Sequence, residues 1–249
     1  MLNKDKAICI RATDYSETSQ VVTFFTGFHG KVSAIAKGAK RAKSAFDGPV
    51  EIFSHGKIVF SDSRGEKLAT LTEFEQHRGF PALARNLYCL HCASFAAELV
   101  NLMTHDSDPH PELFDSFLQF LQNLGDISRP DCKKRDALVL LLLFQLNLLK
   151  EVGLQPILSS CSNCKNEFTV KWRQSFFSHS ADGLLCKDCE ASFPDRIRIS
   201  SGCANILSNI KTLPEAGDET LYEAQKILIS HFTGILHRAP KMAKHILKT

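Results

Sequence analysis

Residues 20–37 read QVVTFFTGFHGKVSAIAK, and this stretch predicts two neighbouring β-strands joined by a tight turn. Gln20–Thr26 is rich in β-branched and aromatic residues, which favour strands, and it ends at Gly27. A second run, Lys31–Lys37, follows a turn at Gly30. The front of the chain is therefore predicted to be a β domain.

Three further runs of strand character flank this pair. The first opens at Ala7–Ile10 and reaches Tyr15, the second is Val50–Phe60 with an interruption at His55-Gly56, and the third is Lys67–Phe74. Short strands separated by turn signals leave little room for helix in residues 1–80. About five strands in this length fit a small closed barrel of the oligonucleotide-binding (OB) type. A sandwich-like arrangement fits the strand count nearly as well.

Residues 81–249 change to helical periodicity. Apolar residues recur at helical spacing in Leu83–Met103, Glu112–Leu124 and Thr220–Leu236. Another helix is predicted to end near Val152, and its Ala137–Phe144 portion is apolar on nearly all sides, as in the centre of a bundle. The prediction is an α+β chain, with an N-terminal five-stranded OB-type β-barrel at 1–80 and an α-helical domain at 81–249.

A cysteine-bearing stretch at about 158–196 interrupts the helices. It holds two C-x-x-C pairs, which are Cys161 with Cys164 and Cys186 with Cys189. Thiolates at this spacing form two knuckles that complete a tetrahedral Zn²⁺ site. Because all four ligands are cysteines, the zinc-ribbon-like module is predicted to be structural, with no position open for catalysis. Cys9, Cys132 and Cys203 are predicted to be core residues. Cys89 and Cys92 form another C-x-x-C pair inside an apolar helix and are also predicted to be core cysteines, with metal or redox work as the alternative.

The stretch from Gly30 to Gly48 is the candidate functional surface. It carries five cations and no acid before Asp47; the cations are Lys31, Lys37, Lys40, Arg41 and Lys43. A positive strip on a strand and its following loop attracts phosphate backbones and holds them by counterion release. Three aromatic residues predicted in turns beside the cations are candidates to stack on bases: Tyr15, Phe28 and Phe46. The alternative is a solvated lysine face without a ligand.

Composition and motifs argue against several other classes of protein. Net charge is +3, so the basicity is local. The start of the chain is polar and the longest apolar run is too short to span a membrane, so we expect a cytoplasmic protein. Gly38–Ser44 superficially resembles a P-loop, but it lacks the second glycine and the βαβ setting. Asp14 and Glu17 have no third carboxylate to complete a nuclease centre.

Several motifs resemble the RecO family of recombination mediators. In the N-terminal part they are Ile10-Arg11-x3-Tyr15-x-Glu17, Val22-Thr23-x-Phe25-Thr26, Gly30-Lys31 and Ala36–Arg41. The match continues through Leu148–Gly153, Gln155-Pro156, the two cysteine pairs and Gly183–Cys186. It covers most of the chain, and the last 50 or so residues match only loosely. The resemblance implies an OB barrel followed by a helical part with an embedded zinc module.

The resemblance also implies a function without catalysis. RecO-like proteins bind single- and double-stranded DNA and anneal complementary strands. With RecR they help to load RecA onto strands coated by single-strand binding protein (SSB), so a nucleoid-associated location follows. The resemblance implies that the five cations listed above bind DNA. Arg135 and Lys134 take the role of binding the acidic, apolar SSB tail, although Asp136-Ala137-Leu138 stands where an aromatic residue and an acid are usual after the arginine.

The sequence therefore leaves three hypotheses for the function. The first is a DNA-repair mediator that binds DNA through its lysines. The second is a zinc-containing adaptor between proteins, in which the lysines are only solvated. The third is an undetected metallo-nuclease, for which no motif was found. Replacing Lys37, Lys40 and Arg41 by alanine separates the first two, because only a mediator would lose DNA affinity.

Overall fold

The computed structural model describes residues 2–41, 46, 48–61, 68–77 and 79–247. The chain divides into two compact units. The first comprises Met1–Leu87 and Ala96–Arg129, and the second comprises Tyr88–Phe95 and Pro130–Thr249. Each unit has its own core.

The first unit contains a closed barrel. Its strands within the described residues are β1 (Leu2–Asp14), β2 (Gln20–Thr26), β3 (Lys31–Ala36), β4 (His55–Ser61) and β5 (Ala69–His77). Around the barrel they run β1-β2-β3-β5-β4, and β4 returns to pair with β1. All pairs are antiparallel except β3 with β5, which pair in parallel at Ala34 with Ala69 and at Ile35 with Thr70. This Greek-key closure is that of an OB barrel and confirms the predicted fold class.

The two phenylalanines in β2 are buried on opposite sides of the strand. Phe24 points into the barrel, where its ring meets Phe74 edge-on at 5.3 Å. Phe25 points outward against Phe114, at 6.1 Å. Both are fully buried: Phe24 lies in the barrel core, and a helix covers the outer face at Phe25. Alternation alone predicted one of the two to be outside, and tertiary packing buried it.

Helices complete the first unit. They include a 3₁₀ helix at Pro81–Arg85, part of α1 (Leu87–Met103) and α2 (Pro111–Ile127). The segment between α1 and α2 approaches the turn before β3, where the Ser107 N–H donates to the Lys31 carbonyl. Gly30 has φ of +65°, and a Cβ there would lie 2.4 Å from backbone atoms of Asp108. A glycine is required at this turn by both conformation and space.

The second unit is mainly helical. Its named elements are α3 (Lys134–Glu151), β6 (Ser175–Ser178), β7 (Gly183–Cys186), β8 (Ile197–Ile199), α4 (Ser201–Ser208), α5 (Asp218–Leu236) and α6 (Ala243–Leu247), with 3₁₀ turns at Glu190–Ser192 and Ile210–Glu215. The α3 helix is buried on most sides, as predicted, and packs on α5. The small sheet has the order β7-β6-β8.

Some strand boundaries differ from the sequence predictions. The first strand begins at Leu2 and not at Ala7, and His55-Gly56, predicted to interrupt a strand, instead begin β4. The strand expected from Val50 begins only at His55, because Phe53 takes a left-handed φ of 68° and Ser54 folds back onto the Glu51 carbonyl. The predicted start of the Lys67–Phe74 strand and its preceding turn lie outside the described residues. Every helix within the described residues falls short of the length or hydropathy that a membrane-spanning segment needs.

Candidate metal centre and nucleic-acid interface

The four predicted cysteine ligands converge on one point. Cys161 and Cys164 lie in the turn before the small sheet, and Cys186 and Cys189 lie at the end of β7 and in the turn after it. All four Sγ atoms are within 4.8 Å of one another, and Cys164 Sγ lies 3.8 Å from Cys186 Sγ. Sulfurs at about 2.3 Å from a tetrahedral Zn²⁺ would be about 3.8 Å apart. The cluster is positioned to bind a metal ion, consistent with zinc.

The backbone around the cluster favours ionised sulfur at one ligand. Burial raises the pKa of the Cys161 thiol, but N–H groups of Cys186, Cys164 and Asn163 outweigh it and lower the pKa to about 7. Burial and the Cys189 thiol raise the pKa of Cys186 to about 12. Because metal ligands are thiolates, a bound cation would hold both sulfurs ionised.

The module around the cysteines has a small core of its own. Cys161, Cys186, Phe176 and Leu185 form a buried cluster, against which Trp172 and Phe193 pack. A core of this size supplies little hydrophobic stabilisation, so metal ligation is expected to carry much of the folding energy. The hairpin also needs close backbone packing, because a Cβ at Gly183 would lie 2.2 Å from the Ile157 carbonyl oxygen.

At one end of the barrel, the β1–β2 turn and the loop after β3 are hydrogen-bonded together. Lys40 N–H donates to the Thr18 carbonyl at 3.1 Å, and Gly38 N–H donates to Ser19 Oγ at 3.2 Å. Lys40 Nζ also lies 2.7 Å from Asp14 Oδ2. The two adjacent loops carry one exposed aromatic residue and three exposed cations, which we call the loop surface: Tyr15, Lys37, Lys40 and Arg41.

All four residues of the loop surface are exposed, and Tyr15 is 67 % exposed. Arg11 adds a further exposed cation on the outer face of the same strands, opposite Thr23. Sequence reasoning gave Arg11 no site role. Strict alternation from the inward-facing Cys9 would point Arg11 into the barrel, but a bulge between Cys9 and Arg11 turns it outward.

Lys31 is placed at the other end of β3. Its Nζ donates to the carbonyls of Asn101 at 2.9 Å and Thr104 at 3.0 Å, and lies 3.5 Å from Asp106 Oδ1. Its side chain is only 14 % exposed. Lys31 and Lys37 share a side of the strand but stand about 20 Å apart along it. The structure therefore gives Lys31 the role of a cation at the C-terminal end of α1, and Lys43 lies outside the described residues.

The three aromatic candidates are separated. Tyr15 belongs to the loop surface. Phe28 is 69 % exposed but lies in the β2–β3 turn, where its N–H donates to Asp5 Oδ2 at 2.8 Å. Phe46 is 3 % exposed and packs in the barrel core, so the prediction that its ring can stack on a base is wrong. The turn predicted at Phe46 is confirmed, but its apolar ring is buried in the barrel interior.

The predicted tail-binding residues lie in the first turn of α3. Arg135 Nη2 donates to the Ala216 carbonyl at 2.7 Å and to the Pro214 carbonyl at 3.2 Å, and its Nε lies 3.1 Å from Asp218 Oδ1. Its side chain remains 31 % exposed. Lys134 Nζ lies 5.8 Å from the centre of the Tyr88 ring. Both residues thus have contacts within the second unit, and their role in tail binding stays a prediction.

A closed OB barrel with an exposed cationic loop is joined to a helical part that carries a four-cysteine cluster. These features define a class of two-part proteins that combine an OB fold with a candidate metal site.

Comparison with known proteins narrows this class to one family. The family model described as Recombination protein O N terminal matches residues 1–80, and the one described as Recombination protein O C terminal matches residues 85–244. The chain therefore belongs to the Recombination protein O family, whose members include the DNA repair proteins RecO.

Individual relatives agree with the family models. The chain is 32 % identical over 218 residues to the DNA repair protein RecO of Rhodopirellula baltica, which covers 86 % of this chain and 77 % of that protein. It is 34 % identical over 213 residues to the protein of the same name from Anaeromyxobacter dehalogenans, covering 84 % and 78 %. For that of Bacillus subtilis the identity is 31 % over 207 residues, covering 83 % and 76 %.

Proposed function

We propose that this chain is a mediator of DNA repair and homologous recombination. It binds single- and double-stranded DNA, anneals complementary single strands, and helps RecR to load RecA recombinase onto SSB-coated DNA. The observation that carries the proposal is the loop surface, which brings Tyr15, Lys37, Lys40 and Arg41 together at one end of an OB barrel in a RecO-family chain.

Annealing two strands requires a surface of this kind and involves no covalent chemistry. Cations neutralise the phosphates of two strands and release condensed counterions, while an exposed ring can stack on a base and keep a strand extended. Four cations, counting Arg11, predict a log–log salt slope of about −3 for single strands, at about 0.7 per phosphate contact. Asp14 holds Lys40 in the absence of DNA, so a phosphate would replace that carboxylate.

Zinc at the four cysteines is proposed as a structural cofactor. Cys161, Cys164, Cys186 and Cys189 would hold the ion as thiolates, and the ion would supply folding energy to the module. We further propose that Lys134 and Arg135, in the first turn of the apolar α3 helix, bind the SSB tail. Arg135 already holds the segment around Ala216, so an acidic tail would compete for a guanidinium that is only partly occupied.

The alternative is an adaptor that contacts proteins and not DNA. One observation favours it: Lys31 and Lys40 both have partners within the chain. An adaptor would show no change in DNA affinity when the exposed cations of the loop surface are removed.

The deciding experiment is a titration of a fluorescent single-stranded oligonucleotide at several salt concentrations. The triple variant Lys37→Ala, Lys40→Ala, Arg41→Ala removes the cations of the loop surface. A matched control removes three exposed cations elsewhere on the barrel, as Lys4→Ala, Lys6→Ala, Lys57→Ala. We expect the first variant to lose affinity and to flatten the salt slope by about 2, since three phosphate contacts are removed. Equal losses in both variants, or no loss in either, would count against the loop surface.

A further inference from the structure

Three cysteines outside the metal centre meet in the second unit. Cys89 and Cys92 lie at the start of α1, and Cys132 lies in the loop that precedes α3. Cys89 Sγ is 3.9 Å from Cys132 Sγ, although 43 residues separate them in the chain. The sequence predicts all three to be core residues, with metal or redox work as the alternative for Cys89 and Cys92. That prediction is wrong for Cys132, which is partly exposed.

The three thiols differ in access and reactivity. Cys89 and Cys92 are fully buried. Burial, together with Cys89 and Cys132, raises the pKa of the Cys92 thiol well above its usual value, so Cys92 stays protonated and unreactive. Cys132 is the one of the three that solvent reaches, and its chain neighbours Lys133 and Lys134 attract anionic reagents.

We propose that Cys89 and Cys132 are a reversible oxidation site that forms a disulfide on reaction with a low-molecular-weight disulfide. The Cys132 thiolate attacks one sulfur of the small disulfide, whose S–S bond breaks and releases one thiolate. The Cys89 thiol, which donates its S–H toward the Cys132 sulfur, then attacks that sulfur in the mixed disulfide; its proton passes to the second small thiolate as this leaves. The two protein thiols lose two electrons and two protons, and the small disulfide gains them as two thiols.

The geometry requires a modest movement. The two sulfurs must approach from 3.9 Å to about 2.05 Å. Cys89 is held in a helix, but Cys132 lies in the non-helical segment between residues 128 and 133, so the adjustment falls on a loop. The bond would close a long stretch of chain and restrict the unfolded state, so the oxidised protein is expected to unfold at a higher urea concentration than the reduced protein.

The test uses the full chain loaded with zinc, incubated with glutathione disulfide or, as the reference, with reduced glutathione. Remaining thiols are alkylated, and cleavage after Glu98 and Glu112 places Cys89 and Cys132 on separate peptides. We expect a joined peptide pair in the oxidised sample that dithiothreitol separates. Recovery of Cys132 only as a glutathione adduct would overturn the proposal, and this result needs no variant.

Variants identify the partner sulfur. Cys132→Ser and Cys89→Ser are each expected to abolish the joined peptides. Cys92→Ser is expected to keep the joined peptides, because Cys92 takes no part in the bond. Cys203→Ser is the matched control, since it replaces another fully buried cysteine, and it should keep them as well. A joined pair that persists in Cys89→Ser but disappears in Cys92→Ser would assign the bond to Cys92 and refute the proposal.

Discussion

Lys31 and Lys37 begin and follow the same strand, yet their side chains meet different surroundings. The Lys31 ammonium group donates to two carbonyls at the end of α1, where it also complements the negative end of the helix dipole. Lys37 is exposed on the loop surface. A cation in a basic run is therefore not automatically a DNA contact, because the tertiary partner decides its role.

This contrast yields a first prediction. Lys31→Met should lower the free energy of unfolding by about 1–3 kcal/mol, because two hydrogen bonds from a charged, mostly buried group are lost. DNA affinity of the folded variant should stay near that of the wild type. Lys37→Met is the matched control, with unchanged stability and weaker binding. Urea unfolding and oligonucleotide titration of both variants check this, and a Lys31 variant that folds normally but loses binding would reverse the two assignments.

Two aromatic residues make the same point and give a second prediction. Tyr15→Ala should weaken single-strand binding by about 1–3 kcal/mol, the range for one stacked base, and leave stability nearly unchanged. Phe46→Ala should cost about 3–5 kcal/mol of stability because it leaves a cavity in the barrel core. Thermal unfolding with binding assays on the folded fraction distinguishes them. Unaltered affinity in Tyr15→Ala would remove this ring from the interface.

At the level of elements, β4 and β5 carry a pair of histidines directly opposite each other. His55 and His77 are cross-strand partners with ring centres 5.7 Å apart, and His55 stacks on Phe80 at 5.1 Å. Burial lowers the pKa of His55, and repulsion from His77 lowers it further. The folded barrel thus favours the neutral imidazole.

The consequence for stability follows from proton binding. The unfolded chain takes up this proton near pH 6.5, whereas folded His55 does so only at lower pH. Neutral His55 therefore contributes fully to the free energy of unfolding above about pH 6.5. This contribution is lost as the pH falls through that value toward the lower pKa of His55 in the folded protein. His55→Phe keeps the stacked ring and removes the proton. Urea midpoints at pH 7.5 and 5.5 should differ less in this variant than in wild type, whereas the exposed His105→Gln should behave like wild type.

At the scale of the molecule, the barrel and the cysteine module differ in what stabilises them. The barrel has a continuous apolar core. The cysteine module has a core of only a few side chains around its four sulfurs. Removing a structural metal should therefore affect the cysteine module more than the barrel.

This gives a fourth prediction. Chelation of zinc, or Cys164→Ser, should remove amide-exchange protection from the segment 158–196 while the β1–β5 amides keep theirs. Cys203→Ser is the control, since it replaces a buried cysteine outside the centre. Hydrogen exchange read by mass spectrometry, with a metal assay on the same samples, reports both outcomes. Uniform loss of protection across the barrel would show that its folding depends on the metal.

The barrel and the metal centre could both be predicted from the sequence, each from a different signal. The strand pattern of residues 1–80 indicated the barrel, because side chains alternate along a strand and turns carry local signals. The spacing of the cysteine pairs indicated the metal centre, because each pair is a local knuckle and only the meeting of two knuckles is long-range. Both signals are local, because they come from residues that are close together in the chain.

Only the tertiary structure decided which side chains share a surface. It buried Phe46, tied Lys31 to a helix end some 70 residues away, turned Arg11 outward through a bulge, and brought Cys132 to Cys89. None of these has a local signal, because each depends on which distant backbone lies beside the residue. Charge and apolarity are properties of a residue, whereas exposure and partnership are properties of the folded chain.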